Sequence, residues 1–231
     1  MSWPFDLLEP HEDFDEASYA ALLDELRGFL DALAGASPDR DLTADLTAGL
    51  REWRATLADR AVSPAHAPYG QLHAADDHGL AAVPAVSVHA EAPGTLDATV
   101  RFSRWFLGGG GAVHGGHLAT TLDGLMGRTQ LAGGWIARTA YLNVRYLALT
   151  PVGEPVRAEI RTQRVEGRKS FLHGRLFAGA TTYVEAEALF VRVARYPGSV
   201  REPGAGTSGR ALPPLAAPGT PSAYAGGVAD A

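Results

Sequence analysis

Apolar residues recur three or four positions apart in two stretches near the start of the chain, Tyr19–Leu33 and Leu42–Leu57. This spacing predicts two amphipathic helices. Gly35 is expected to end the first helix, and Asp41 is expected to cap the second. Residues 1–60 are therefore interpreted as a helical extension.

Further along the chain the hydrophobic period changes from about four to two, which indicates strands. The runs predicted to form strands are Val86–His89, Leu96–Phe106, Ile136–Leu149, Pro155–Val165, Lys169–Ala178 and Thr181–Val193. One helix, from about Gly115 to Ala132, separates the second run from the third and should end at Gly133-Gly134. Because the last four runs have short connections, they are expected to pair antiparallel as a meander.

These elements predict an α+β fold in which an antiparallel sheet of five or six strands packs against one long helix. The helix is apolar enough to cover one face of the sheet. We expect this domain to span residues 83–196, after an irregular linker at 61–82. Residues 197–231 contain 13 Pro or Gly among 35 residues, which is typical of a disordered tail.

Composition narrows the chemistry and the expected location. The chain has no cysteine, which excludes disulfides, thiolate metal sites and a cysteine nucleophile, and fits a reducing compartment. The acidic start lacks the features of a signal peptide, and no apolar run approaches the ~20 residues of a membrane span. We expect a cytoplasmic protein that does not cross a membrane.

The net charge of −6 is unevenly distributed. Residues 1–60 hold 14 acidic residues and 5 arginines, whereas residues 61–200 hold 10 acidic and 13 basic residues. A mildly basic central section suits an anionic small molecule. It is too weakly charged for a nucleic-acid surface, which is usually marked by a strong basic stripe.

The stretch "LGGGGAVHGGHLATTLDGLMG", from Leu107 to Gly127, breaks two local rules, because it places glycines at a helix and a carboxylate within it. It does not match a dinucleotide fingerprint or a phosphate-binding loop, and the chain has no G-x-S-x-G elbow. His114 and His117 are three apart without a third ligand, so we expect no metal site.

What remains is a helix start with unpaired backbone N–H groups at Gly115 and Gly116, which is a favourable position for an oxyanion. Asp123 lies nine residues after His114, which is ~900° around the helix and ~13 Å along it. The helix start and the carboxylate therefore point in opposite directions. Two antiparallel copies of the helix would bring one chain's Gly115 near the other's Asp123, which predicts a dimer with two shared sites.

Three motifs in this region resemble those of the PaaI-like hotdog-fold acyl-CoA thioesterases. "GGGAVHGGHLATTLDGLMG" resembles the signature in which His-Gly-Gly is followed, nine residues after the histidine, by an acid. "ARTAYLNVRY" is similar to the Thr-x-x-Leu-x-x-x-Tyr strand, and "VEGRKSFL" to a Gly-Arg-Lys turn. The resemblance covers roughly residues 83–195, and it implies a hotdog fold in which the sheet wraps around the helix.

The resemblance implies thioester hydrolysis without a cofactor. The Gly115 N–H would hold the oxyanion, Asp123 of the other chain would act as general base or nucleophile, and Thr139 would hold the water or the carboxylate. His114 is expected to position the helix start. The positions expected to bind acyl-CoA are Gly116, Asn143, Arg168 and Lys169, the last two through the CoA phosphates. A homodimer, and beyond it a tetramer, is implied.

Two other classes of function stay open at this point. The same fold carries enoyl-CoA hydration or dehydration, in which an Asp–His pair acts on the β-carbon. A non-catalytic acyl-CoA-binding regulator, with the N-terminal helices docking a partner, is the second alternative. The presence of both Asp123 and Thr139 favours hydrolysis over either.

Overall fold

In a computed structural model of the protein, the described residues are 14–63, 66–68 and 82–195. The helices and strands of these residues are α1 Glu16–Ala34, α2 Arg40–Ala58, β1 Ala85–Ala92, β2 Thr95–Arg101, α3 Gly115–Ala132, β3 Trp135–Tyr146, β4 Pro155–Glu166, β5 Lys169–Ala178 and β6 Thr181–Arg195. The predicted order of elements and the predicted bounds of α3 are confirmed. Most of the predicted linker and the whole predicted tail lie outside the described residues, so the domain boundaries stay predictions.

The six strands form one antiparallel sheet in the order β1-β2-β4-β5-β6-β3. One face of α3 packs on this sheet, and Leu122 and Met126 are fully buried between them. Gly174 on β5 permits the close approach, because a Cβ there would lie 2.8 Å from the end of the Met126 side chain. This is the predicted hotdog fold, with a six-stranded sheet around one long helix and a helical extension before it.

The predicted meander of the last four strands is wrong in one place, because β3 pairs with β6 and not with β4. The connection from Thr150 to Gly153 is held elsewhere: the Val113 N–H donates to the Thr150 carbonyl, and the Gly153 N–H donates to the Phe102 carbonyl. With these contacts the chain passes the start of α3 on its way from β3, at one edge of the sheet, to β4 beside β2. A turn-like sequence therefore serves as a crossover.

Two predicted strands are too long at their C-terminal ends. β2 ends at Arg101 because the chain turns into a short 3-10 helix, Arg104–Phe106, whose first N–H donates to the Asp31 carboxylate of α1. β3 ends at Tyr146 because the next two N–H groups, of Leu147 and Ala148, converge on one carbonyl, that of Tyr183. Contacts distant in sequence thus end both strands.

The helical extension is attached through α1. The buried Asp31 accepts hydrogen bonds from the backbone N–H of Arg104 at 2.7 Å and from its guanidinium at 3.0 Å. Burial opposes the ionisation of Asp31, but together these bonds outweigh it and lower the pKa of the carboxyl. Asp39, and not the expected Asp41, caps α2. No residue of α2 is buried in the part of the chain that the structure describes.

Candidate active site

The glycine loop ends at His114, which is the N-cap of α3. Gly110 and Gly111 adopt φ values of 68° and 76°, a region that only glycine adopts readily, so the loop can reverse direction in few residues. At Gly108 the loop passes directly against His114, and a Cβ there would lie 2.8 Å from the His114 Cα. The glycines thus fix where the helix begins.

Three of the first four N–H groups of α3 are paired with His114. The Gly116 N–H donates to the imidazole Nδ1 at 3.1 Å, and the His117 and Leu118 N–H groups donate to the His114 carbonyl at 3.0 and 3.4 Å. The expectation of an unpaired N–H at Gly116 is therefore wrong. The Gly115 N–H has no hydrogen-bond partner among the described residues, so it is the donor that the helix start presents to a ligand.

Tyr146, at the end of β3, holds the same glycine from the other side. Its hydroxyl donates to the Gly115 carbonyl at 3.0 Å, and a Cβ on Gly115 would lie 3.2 Å from its ring. This tyrosine was not among the residues predicted to form the site. Tyr146 is the tyrosine of the Thr-x-x-Leu-x-x-x-Tyr pattern, and this was the signal for it in the sequence. Only the fold shows that its side chain reaches the start of α3.

The carboxylate of Asp123 is half-buried on α3 and is held by β3. The Thr139 hydroxyl donates to Asp123 Oδ1 at 2.8 Å. Asp123 makes no ion pair with any residue in the described part of the chain, so its second oxygen has free hydrogen-bonding capacity. The expected pairing of Asp123 with Thr139 is therefore present as a direct contact.

A β-bulge aims Thr139 at the helix. The pairing of β3 with β6 shifts between Thr139 and Tyr141, so Thr139 lies opposite Phe190 while Leu142 lies opposite Ala188. Phe190 and Ala188 are both buried on the helix side of the sheet, so the bulge puts Thr139 and Leu142 on one face although they are three apart. Simple alternation would have separated them.

Within one chain, the Gly115 N–H and the Asp123 carboxylate do not meet. Eight residues of helix place them ~12 Å apart along the axis. They also contact opposite parts of β3, since Gly115 is held by Tyr146 and Asp123 by Thr139. The donor and the carboxylate are therefore separated within one chain, and a site shared between two chains stays a prediction.

Of the other expected substrate-binding residues, Asn143 lies apart from Asp123. It pairs with the exposed Glu187 and so lies on the outer face of the sheet, opposite to α3. Arg168 and Lys169 are exposed at the β4–β5 turn. Lys169 pairs with Val191 of β6, and the preceding residue of β6, Phe190, pairs with Thr139. The β4–β5 turn therefore lies at the Thr139 end of β3.

His117 lies one turn into α3, with its ring 5.0 Å from that of Phe106 and 5.7 Å from that of His114. Burial, and then the charge of His114, lower the pKa of His117. The imidazole is therefore neutral near neutral pH. No three His, Asp or Glu side chains in residues 14–63, 66–68 and 82–195 lie close enough together to hold a metal ion. None of the helices in the same ranges is long and apolar enough to cross a membrane.

No family model matches the chain. Acyl-coenzyme A thioesterase THEM4 of Mus musculus is 36% identical over 85 residues, a segment that covers 36% of this chain and 36% of the mouse protein. The match thus spans about a third of that relative.

Among solved structures, the crystal structure of a thioesterase superfamily protein superposes with a TM-score of 0.65 and 25% identity, covering 80% of this chain and 98% of that chain. A Streptococcus mutans structure bound to acetyl-CoA is more distant, with 16% identity, a TM-score of 0.46 and coverage of 48% of this chain and 90% of that chain. The similarity along nearly the whole of the thioesterase superfamily protein confirms the hotdog fold of this chain.

Proposed function

We propose that the protein is an acyl-CoA thioesterase that hydrolyses a thioester to a free acid and CoA. One observation carries the proposal: α3 bears both an unpaired backbone donor, the Gly115 N–H, and a carboxylate with a free oxygen, Asp123, held by Thr139. An oxyanion donor and a base are what acyl transfer to water requires. The similarity to an acyl-CoA thioesterase over 85 residues supports the same reaction.

In this mechanism the Gly115 N–H, at the positive end of the helix dipole, polarises the thioester carbonyl and holds the developing oxyanion. Asp123 removes a proton from water, whose oxygen attacks the carbonyl carbon. The C–S bond then breaks, and the proton goes to the departing thiolate. Alternatively, Asp123 attacks the carbonyl itself, and water hydrolyses the resulting anhydride. A single turnover in water enriched in ¹⁸O labels the Asp123 carboxylate only in the second mechanism.

The two groups that act on one carbonyl come from two chains, because one chain keeps them apart. β3 is an edge strand of the described sheet, with a free edge available to a second copy. Pairing through this edge about a twofold axis would lay two α3 helices side by side and antiparallel, which would create two shared sites. Assembly of two dimers into a tetramer, like the cytoplasmic location, stays a prediction.

Recognition of CoA is assigned to Arg168 and Lys169. Both side chains are exposed at the Thr139 end of β3 and have no ion-pair partner in the described ranges. Arginine and lysine at such a turn suit the phosphates of CoA. His114 is assigned the positioning of the helix start through its bond to Gly116.

The test measures thiol release from a panel of aliphatic and aryl acyl-CoA esters by the wild-type protein and the Asp123→Asn variant. We expect turnover by the variant to fall at least ~100-fold, the typical scale for a positioned acid–base group. Glu187→Gln, which changes an exposed acid on the outer face of β6, is the control and should leave turnover unchanged.

Equal rates for wild type and Asp123→Asn would refute the assignment. Hydration of enoyl-CoA without thiol release would replace hydrolysis by the hydratase alternative. Tight acyl-CoA binding with no turnover of any ester would favour the non-catalytic regulator.

A further inference from the structure

α2 has an apolar face that nothing in the described part of the chain covers. Its large apolar residues fall within a sector of ~80° around the helix and form one stripe, Leu42, Leu46, Leu50, Trp53 and Leu57. None of them is buried, and Leu50 and Trp53 are 52% and 69% exposed. In proteins most of the stability of a helix comes from packing such a face, so one chain alone leaves α2 without its main stabilising contact.

α1 carries a second exposed stripe, formed by Leu22, Leu26 and Leu33. These three side chains are 38% to 56% exposed. Asp31, through which α1 is attached to the 3-10 helix Arg104–Phe106, lies ~140° around α1 from Leu26. The attachment therefore uses one side of α1, and the stripe lies on another.

The connection between α1 and α2 holds the two stripes apart within one chain. At its start the Ala36 N–H donates to the Leu33 carbonyl, and at its end the Asp39 side chain accepts from the Leu42 N–H. Pro38 lies between these bonded residues and restricts the backbone further, because its ring fixes φ. With the connection in this conformation both stripes stay exposed, although both helices are fully formed.

The charges beside the two stripes are complementary. Glu25 lies ~60° from Leu22 around α1, and Arg54 lies ~40° from Leu50 around α2. Both charged side chains are exposed, and neither makes an ion pair with a residue in the described ranges. Packed helices use opposite charges at the edges of an apolar contact to select their partner, so the α1 stripe suits the α2 stripe.

Complementary stripes on one chain favour a second copy of that chain as the partner. A twofold axis would pair the α1 stripe of each copy with the α2 stripe of the other, so that all four stripes of two copies are covered. The place where α1 is attached agrees with this. The Phe106 carbonyl, at the end of the 3-10 helix that holds α1, accepts from the His114 N–H at the start of α3, the region that the proposed dimer brings to its partner.

We propose that the helical extension forms an exchange contact between two copies of the chain, in which the α1 stripe of each copy packs against the α2 stripe of the other. Burial of the leucines and of Trp53 stabilises the contact, and Glu25 and Arg54 lie at its edge. The contact is separate from the pairing of β3 edges. It does not depend on thioester hydrolysis, because none of its residues belongs to the proposed catalytic site.

Disulfide cross-linking tests this contact, because the chain has no cysteine of its own. Leu26 and Leu50 each lie one residue past the middle of their helix, so they come close whichever way the paired helices run. Full-length Leu26→Cys and Leu50→Cys chains, with tags of different size, are coexpressed, oxidised and separated under denaturing conditions. We expect disulfide-linked pairs that contain one chain of each kind.

Ala48→Cys replaces Leu50→Cys in the matched control. Ala48 is exposed and lies ~160° around α2 from Leu50, on the side away from the stripe. The yield of mixed pairs should fall about tenfold, because a disulfide needs Cα atoms within ~7 Å of each other. Equal yields from Leu50→Cys and Ala48→Cys would mean random collision and would overturn the proposal.

A chain that carries both Leu26→Cys and Leu50→Cys distinguishes exchange from closure within one chain. Exchange gives disulfide-linked dimers of this double variant. A disulfide within a single chain, together with no link between the two single-cysteine variants, would show that α2 folds back on its own α1, and the proposal would be wrong.

The surroundings of Trp53 give a readout that needs no cysteine. The difference between the wild-type chain and Trp53→Phe isolates the fluorescence of this tryptophan, one of 4 in the chain. We expect acrylamide to quench Trp53 about threefold less in the wild type than in Leu26→Glu, which puts a charge at the centre of the α1 stripe. Gly28→Glu, on an exposed position of α1 away from the stripe, is the control and should leave quenching unchanged.

Thermal melting identifies any variant whose sheet fails to fold. If Trp53 of the wild-type chain is quenched as readily as free tryptophan amide, no second copy covers the α2 stripe and the proposal is overturned. The same conclusion follows if Leu26→Glu and Gly28→Glu leave Trp53 equally shielded.

Discussion

The two ends of α3 differ in how their unpaired polar groups are placed. At the N-terminal end three of the first four N–H groups are paired with His114, and the one left over, at Gly115, lies at the end of a glycine loop. At the C-terminal end, the unpaired atom of Gln130 is buried beside the charge of Arg192. The first arrangement costs little stability because water can reach it, and the second is costly because water cannot reach the Gln130 oxygen.

The groups assigned to the proposed reaction lie in the N-terminal half of α3. The N-terminal half carries a donor and, a little over two turns later, a carboxylate, and these two groups suit a reaction at a carbonyl when two chains combine them. At the C-terminal end the unpaired oxygen of Gln130 is shielded from solvent, so it affects stability and not the proposed reaction. A change at the C-terminal end should therefore leave the proposed reaction intact.

The largest effect is expected from a substitution that removes the Gly115 N–H and keeps the rest of the helix start. Gly115→Pro removes this N–H at the first helical position, where proline is well tolerated, and His114, at φ −63° and ψ 131°, already has a conformation suited to precede proline. We expect turnover of acyl-CoA to fall about 100-fold, as for loss of one oxyanion donor.

Gly115→Ala is the matched control, because it adds the same Cβ beside the Tyr146 ring but keeps the N–H. Tyr146 is 54% exposed and can move by the few tenths of an ångström required. We expect thiol release to fall no more than roughly fivefold, a scale typical of mild misplacement. Similar losses in both variants would mean that crowding, not the donor, matters.

A smaller effect is expected where β3 holds the carboxylate. Thr139→Val keeps the shape of the side chain but removes the hydroxyl that donates to Asp123. We expect kcat to fall about tenfold, the scale of one hydrogen bond to a charged group, while Thr139→Ser retains most activity. Steady-state kinetics on both variants test this, and a serine variant as impaired as the valine variant would argue against the role of the hydroxyl.

The next effect concerns stability at the N-terminal end. The pKa of His117 is lowered in the fold, so the unfolded chain binds a proton on this imidazole more readily. His117 therefore adds stability above its unfolded pKa. This stability is lost as the pH falls through the folded pKa. Urea unfolding between about pH 7.5 and pH 5 should show a decline that is shallower in His117→Gln. Parallel pH profiles for the two proteins would show that His117 does not contribute.

The smallest effect is expected at the C-terminal end of α3. Gln130→Met replaces a buried, unsatisfied amide with an apolar side chain of similar length. The melting temperature should rise by about 2–4 °C, which corresponds to about 1 kcal/mol for a domain of this size. A fall in melting temperature would show that the amide is satisfied in solution, and turnover of acyl-CoA should be unchanged in either case.

Much of the fold follows from local pattern. The bounds of α3 and its end at Gly133 were predicted, because glycines and hydrophobic period specify them within a few residues of sequence. The pairing of β3 with β6 was not predicted, since the Thr150–Gly153 connection resembles a tight turn and only its contacts with Val113 and Phe102 show otherwise.

The candidate site, like the fold, was predictable from the sequence only in part. The contact between Asp123 and Thr139 was expected from their spacing, which matches that of the thioesterase family the sequence resembles. The bulge that turns Thr139 towards the helix was not predictable, because the strand shows only alternating residues. Which helix-start amide is unpaired depends on the rotamer of His114, which sequence does not specify. Asn143, selected from the same motif as Thr139, lies on the opposite face of the sheet.

The most direct test of the account mixes two inactive variants. Gly115→Pro lacks the donor and Asp123→Asn lacks the base, so each should release little thiol from acyl-CoA when purified alone. If each site combines the donor of one chain with the carboxylate of another, coexpression in equal amounts should restore roughly a quarter of wild-type activity, because half of the dimers then hold one intact site. Activity no higher than that of the separate variants, in mixed dimers shown to have formed, would contradict the shared site.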